Sequence, residues 1–125
     1  MSKYKNKKVW HDGIEFASIK EGDYYLYLKQ LQEQGEISNL QTQVPFEVIP
    51  AVRGIKMVHL KTKIKEKEYC IQRATYYVAD FVYVETKTGK QVVVDVKSEI
   101  TRKNAQYILK KKMMLAYKGI NIIEV

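Results

Sequence analysis

The stretch TYYVADFVYVETKTGKQVVVDVK, residues 75–97, decides how this chain folds. Residues 75–84 are rich in Tyr and Val, the composition of a β-strand. Thr88 and Gly89 supply a turn, and residues 91–96 form the next strand. Val92, Val93 and Val94 make an unbroken apolar run, which predicts burial on both faces and a central place in a sheet. Asp80 interrupts the first strand and Asp95 stands near the end of the second, with fourteen residues between them. A carboxylate on an apolar strand is costly to bury without a partner. Asp95 and Lys97 are two apart, so they project to one face while Val94 and Val96 project to the other.

Toward the N-terminus, residues 9–16 read as a short hairpin turning at Asp12-Gly13. Ser18 can cap a helix, with Glu21 at capping-box spacing. Tyr24, Leu28 and Leu31 set an apolar stripe at helical spacing, with Tyr25 beside it, and Gly35 is a stop signal. Residues 41–49 alternate as a strand in which Pro45 argues for an edge or a bulge, and Pro50 and Gly54 bracket a turn. Toward the C-terminus, a second helix is expected over residues 101–118, with Leu109, Met113, Ala116 and Tyr117 as its core stripe and Gly119 closing it. Residues 120–125 read as a last strand. The step from strand 91–96 through a helix to strand 120–125 has the length of a crossover, which implies a parallel pair. The expected fold class is α/β: a mixed β-sheet flanked by two main helices. One domain spans residues 1–125, with residues 1–8 as a flexible basic N-terminus.

A chain of 125 residues can build one hydrophobic core without disulfides or structural metals. Lys and Arg total 22 against 14 Asp and Glu, a net charge of +8. That balance favours a polyanionic partner, nucleic acid or an anionic membrane surface, although solubility alone also explains it. Cys70 is the single cysteine, so no internal disulfide forms, in keeping with a reducing cytoplasm. It lies in an alternating stretch and reads as a small buried apolar residue. No apolar segment follows the basic N-terminus, which argues against a signal peptide. No run of about 18 apolar residues exists, which argues against a membrane span.

In residues 57–67, Lys61, Lys63, Lys65 and Lys67 fall on every second position, with Leu60, Thr62 and Ile64 on the alternate positions as an apolar row. On a strand the four ammonium groups share a face. That face is either merely solvated or a row of cations that tracks phosphates.

Asp80, Asp95 and Lys97 suit phosphodiester hydrolysis. Two carboxylates on neighbouring strands can hold one Mg²⁺ (or Mn²⁺), which takes hard oxygen ligands, polarises a phosphoryl oxygen and activates a water. A lysine beside them can orient that water, offset charge on the phosphorane or act as a base. The alternative is structural: Asp80 and Asp95 as turn or edge residues with Lys97 as a cross-strand ion-pair partner, the commoner meaning of an isolated Asp-x-Lys triplet.

The pattern resembles the PD-(D/E)XK nuclease superfamily, whose core is helix, three-stranded meander, helix, strand. Within it, the pattern looks similar to small phage- and prophage-encoded proteins thought to act as Holliday-junction resolvases or related endonucleases. The likeness is carried by Asp12-Gly13-Ile14, by Ser18-Ile19-Lys20-Glu21 with Tyr24 to Leu28, by Tyr77-Val78-Ala79-Asp80-Phe81, by Val94-Asp95-Val96-Lys97, and by Thr101 with Tyr107 and Lys110. It extends over roughly residues 9–125. Ala79 stands where the motif has its proline, which does no chemistry.

The resemblance implies a restriction-endonuclease-like core, Asp80 and Asp95 as ligands of Mg²⁺ or Mn²⁺, and Lys97 as the catalytic lysine. It also brings Glu21 to the same site, in competition with that residue's capping role. The expected activity is metal-dependent endonucleolytic cleavage of DNA, at branched DNA such as Holliday junctions. A homodimer is expected because resolution needs two symmetric cuts. The expected location is the cytoplasm of a bacterial host. Duplex nicking, or a restriction- or transposition-type nuclease, is the nearer alternative; a non-catalytic basic nucleic-acid-binding protein is the more distant one.

The start of the second helix follows Lys97 closely, which makes Thr101, Lys103, Gln106, Tyr107 and Lys110 candidates for phosphate contacts, together with Lys61, Lys63 and Lys65. Lys110, Lys111 and Lys112 also read as a solvated face. Trp10 and His11 read as a packed aromatic and a surface histidine, or as groups that stack on an opened base.

Overall fold

A computed structural model describes residues 7–125. Most of the expected basic N-terminus, residues 1–6, lies outside the described residues. The chain begins with the hairpin β1 (Val9–His11) and β2 (Ile14–Phe16), turning at Asp12 (φ 52°) and Gly13 (φ 77°) as an Asp-Gly pair favours. Helix α1 (Ile19–Glu33) follows, with the Tyr25 hydroxyl donating to Asp12 Oδ2 at 2.8 Å and so tying the hairpin turn to the helix.

Strands β3 (Ile37–Ile49), β6 (Thr75–Glu85), β7 (Gln91–Asp95) and β8 (Ile123–Glu124) form one sheet in the order β3-β6-β7-β8. The first two pairings are antiparallel and β7 with β8 is parallel, so the sheet is mixed and the crossover is real. Pro45 lies on β3, an edge strand, where the missing N–H is tolerated. Strands β4 (Val52–His59) and β5 (Ile64–Gln72) form a separate hairpin inserted between β3 and β6.

The sheet has a core on each face. On one side Phe81 and Val94 pack with Phe16, Tyr25 and Leu28 from β2 and α1. On the other, Tyr77, Ala79, Val82 and Val93 pack with Tyr107 and Met114 of α3 (Ala105–Lys118). The strand alternation on β6 changes phase at Asp80: Tyr77 and Ala79 face α3, but Val82, not Phe81, continues that face. The fold is thus a mixed α/β arrangement.

Several local expectations are corrected. The second helix is two, α2 (Glu99–Arg102) and α3, because the Asn104 side chain accepts from Tyr107 N–H at 3.1 Å and caps a fresh start. The buried face of α3 is set by Tyr107 and Met114, while Leu109 and Tyr117 are exposed. Apolar residues surround this helix, so their spacing does not fix which stripe turns inward. Gly54 lies within β4, and the link from β3 is residues 50–51 alone. The 57–67 segment is not one strand: Leu60 N–H donates to the Lys63 carbonyl at 2.8 Å, closing a two-residue turn at Lys61-Thr62. Cys70 is exposed, and so is Trp10, which packs into no core. No helix of the described residues is long and apolar enough to cross a membrane.

Candidate active site

The β6–β7 ladder ends at the pair Phe81↔Val94. One residue further on, side chains take over from the backbone. Asp80 N–H donates to Asp95 Oδ1 at 2.9 Å, and Val96 N–H donates to Asp80 Oδ2 at 2.9 Å. Beyond them β8 takes up the chain: Val125 N–H donates to the Asp95 carbonyl at 2.9 Å, and Lys97 N–H to the Val125 carbonyl at 3.3 Å. Both acidic side chains are therefore placed by main chain on either side.

Lys97 Nζ reaches back over the pair, 3.3 Å from Asp80 Oδ2 and 3.8 Å from Asp95 Oδ1. It also lies 6.0 Å from the centre of the Tyr107 ring. Asp95 is fully buried, at 0% exposure, and its Oδ2 has no hydrogen-bond partner among the described residues. Burial pushes its pKa upward, against the pull of Lys97.

Glu21 comes from the first turn of α1. Ser18 caps the helix by accepting from Glu21 N–H at 3.1 Å. The Glu21 carboxylate, 6% exposed, is turned to the site: its Oε1 accepts from Gln43 Nε2 at 3.0 Å. Burial first, and then the negative charge of Asp80, push the Glu21 pKa up to about 7; Lys97 acts the other way. The capping and site roles of Glu21 are thus divided between its main chain and its side chain.

Gln43 is the residue that sequence reasoning missed. It lies on β3 between the register pairs Thr42↔Phe81 and Val44↔Ala79, which sets it across from Asp80. Its Nε2 lies 3.4 Å from Asp80 Oδ1 as well as 3.0 Å from Glu21. Its φ of 51° is a conformation that non-glycine residues rarely adopt, and strain of this kind gathers at functional sites. Only the pairing of β3 with β6 brings Gln43 here, and no local motif marks it.

Two hollows share Lys97 as a wall. One, of about 280 Å³, is lined by Ser18, Lys20, Glu21, Ser98 and Thr101. The other, of about 240 Å³, is lined by Tyr76, Val78, Gln106 and Lys110. The Thr101 hydroxyl lies 3.1 Å from Ser98 Oγ. Lys103 is exposed beyond α2. Tyr107 is a core residue, 9% exposed, and its hydroxyl donates to Glu124 Oε2 at 2.9 Å, with its pKa raised by burial and by that bond. Lys61, Lys63 and Lys65 are exposed on the β4–β5 hairpin and do not join the carboxylates.

Among the described residues, no three His, Cys, Asp or Glu side chains form a ready chelating group. A hard cation such as Mg²⁺ does not need one: it commonly takes one or two carboxylates, with water and phosphate oxygens completing the shell. The Asp80–Asp95 pair offers only oxygen donors, and the buried, unpartnered Asp95 Oδ2 is an acceptor that a cation would satisfy. The residues present fit such an ion.

Fold and site together define a mixed α/β domain with paired carboxylates and a lysine at the end of its central strands. The chain belongs to the family described as "Protein of unknown function (DUF1064)", whose model matches residues 1–124. No curated protein and no solved structure matches it.

Proposed function

We propose that this protein is a metal-dependent DNA endonuclease with a restriction-endonuclease-like core, acting on branched DNA as a homodimer. The observation that carries the reading is the fully buried Asp95, with one carboxylate oxygen unpartnered, beside Asp80 and Lys97. Asp80 N–H and Lys97 serve Oδ1, but a buried oxygen without a partner is costly, and a cation at Oδ2 would satisfy it. The order α1, β3-β6-β7, α2–α3, β8 supports the core, with the β4–β5 hairpin as an insertion within the meander.

Asp80 and Asp95 would hold Mg²⁺ or Mn²⁺, which supplies charge neutralisation at the phosphoryl group and activation of a water. Lys97, within reach of both carboxylates, places an ammonium where negative charge gathers on the phosphate. Glu21 sits with a pKa near neutrality and can hold or release a proton at its carboxylate. Gln43 orients Glu21 and Asp80 through one amide. Thr101 and Lys110, in the hollows flanking Lys97, are positioned for backbone phosphates.

One observation favours a second reading. Asp80 and Asp95 each accept a main-chain N–H, a structural job that a non-catalytic DNA-binding protein also needs. Labelled four-way junction and linear duplex, mixed with the protein in Mg²⁺ or in EDTA, separate the two. A nuclease cuts in Mg²⁺ alone and is silenced by Lys97→Ala; a binding protein cuts neither substrate. Equal rates on both substrates would remove the branched preference and leave the nuclease.

A further inference from the structure

The β4–β5 hairpin has no part in the core. Its strands pair only with each other, and among the described residues none on either strand is buried. A lone two-stranded hairpin is marginally stable in water, so contact with something outside the domain is the physical reason to keep one.

The register divides its residues sharply. Past the register shift between Val52 and Arg53, even-numbered residues of β4 pair with odd-numbered residues of β5, as in Lys56↔Lys67 and Val58↔Lys65. One face therefore carries Gly54, Lys56 and Val58 with Lys65, Lys67 and Tyr69, and the two-residue turn extends it to Leu60 and Lys63. The other carries Arg53, Ile55, Met57 and His59 with Ile64, Glu66, Glu68 and Cys70. That second face largely neutralises itself, with Arg53 paired to Glu68. The first has four lysines and no acid.

Lys56 and Lys67 are direct cross-strand partners, and like charges so placed are destabilising. Lys56 Nζ lies 5.4 Å from the centre of the Tyr69 ring. The ring lies so close over Gly54 that a Cβ there would meet Tyr69 at 3.0 Å and the Ile71 side chain at 2.9 Å. Among the described residues, none of the four lysines of this face is in an ion pair. Along β5 its lysines recur at roughly 7 Å, two strand residues apart, a spacing suited to successive backbone phosphates.

We propose that the hairpin is a duplex-gripping arm whose Lys56, Lys63, Lys65 and Lys67 lie against the phosphates of double-stranded DNA running away from the Asp80–Asp95 site. This rests on the reading that the site acts on DNA. The root of the arm, at the pair Ile49↔Thr75, is five residues along β6 from Asp80, roughly 17 Å, so the arm grips DNA outside the cleavage point. Ammonium groups held against phosphates carry no sequence information, so the grip is expected to hold any sequence.

The test is the salt dependence of duplex binding by the whole protein in EDTA, where no cleavage can occur. The variant Lys56→Gln/Lys63→Gln/Lys65→Gln/Lys67→Gln is expected to lower the slope of log K against log[salt] by about 3 to 4, and Lys65→Gln or Lys67→Gln alone by about 1. Arg53→Gln, on the other face, leaves the slope unchanged. Equal slopes for wild type and the fourfold variant overturn the proposal, as does an equal loss on Arg53→Gln. A lysine variant whose sedimentation changes while its slope does not would mean that a second copy covers this face, and also overturns it. Wild type that binds with the expected slope but cuts nothing in Mg²⁺ would sink the nuclease reading and leave the arm standing.

Discussion

The Asp80 main-chain N–H donates to Asp95 Oδ1 at 2.9 Å, so one carboxylate of the pair is the hydrogen-bond partner of the other residue's backbone. Asp95 therefore has a folding role on one oxygen and an open valence on the other. Asp95→Ala leaves the Asp80 N–H buried and unpaired and should cost about 1–3 kcal/mol in urea denaturation. Asp95→Asn retains an acceptor, should lose clearly less stability than the alanine variant, and should still cut no DNA. Equal stability losses would show that the hydrogen bond carries no weight.

Glu21 makes stability depend on pH. Its folded pKa of about 7 lies above the ordinary 4.5, so the folded state resists its ionisation. The stability it contributes is fully present below pH 4.5 and is lost as pH rises to about 7. Thermal melts of wild type in EDTA should fall through that window, and Glu21→Gln should flatten the fall. Parallel curves for the two proteins would refute the assignment.

Gln43 joins strain to function. Gln43→Ala removes the amide that reaches Glu21 and Asp80, and turnover should fall about 10- to 100-fold, as when a residue that orients metal ligands is lost. Gln43→Gly relieves the positive φ and should melt above Gln43→Ala while cutting DNA no faster. A glycine variant with wild-type rates would mean that the side chain has no role.

The tyrosine- and valine-rich strands and the Asp12-Gly13 turn were legible in the sequence because each rests on neighbours a few residues apart, and the crossover to β8 because the helical segment before it has the length a parallel connection needs. The Asp80, Asp95 and Lys97 cluster was legible too, since strand alternation places two of its members. Gln43 was not: only the register of β3 against β6 carries it across from Asp80. The facing side of α3 was misread because Ile108, Leu109, Leu115 and Tyr117 are as apolar as the residues that pack. The lysine row was misread at its turn, where pairing substitutes Lys56 for Lys61 on the cationic face.

Gly22 tests how closely α1 sits on β1. A Cβ there would meet Val9 Cγ2 at 2.5 Å and the His11 ring at 3.1 Å. Helix propensity alone would have Gly22→Ala stabilise the protein by about 1 kcal/mol. The overpacking reverses the sign, and a loss of about 1–3 kcal/mol is expected in chemical denaturation. A gain in stability would mean that β1 yields freely and does not fix the first turn of α1, from which Glu21 projects.

Asp80 and Asp95 are proposed to form a divalent-cation site. Crystals soaked in Mn²⁺ test it most directly, through anomalous density. An anomalous peak within coordination distance of Asp95 Oδ2 and of Asp80, absent from Asp95→Asn crystals treated alike, is the expected result. Mn²⁺ bound elsewhere with none at this pair, or a peak that persists in Asp95→Asn, would contradict the claim.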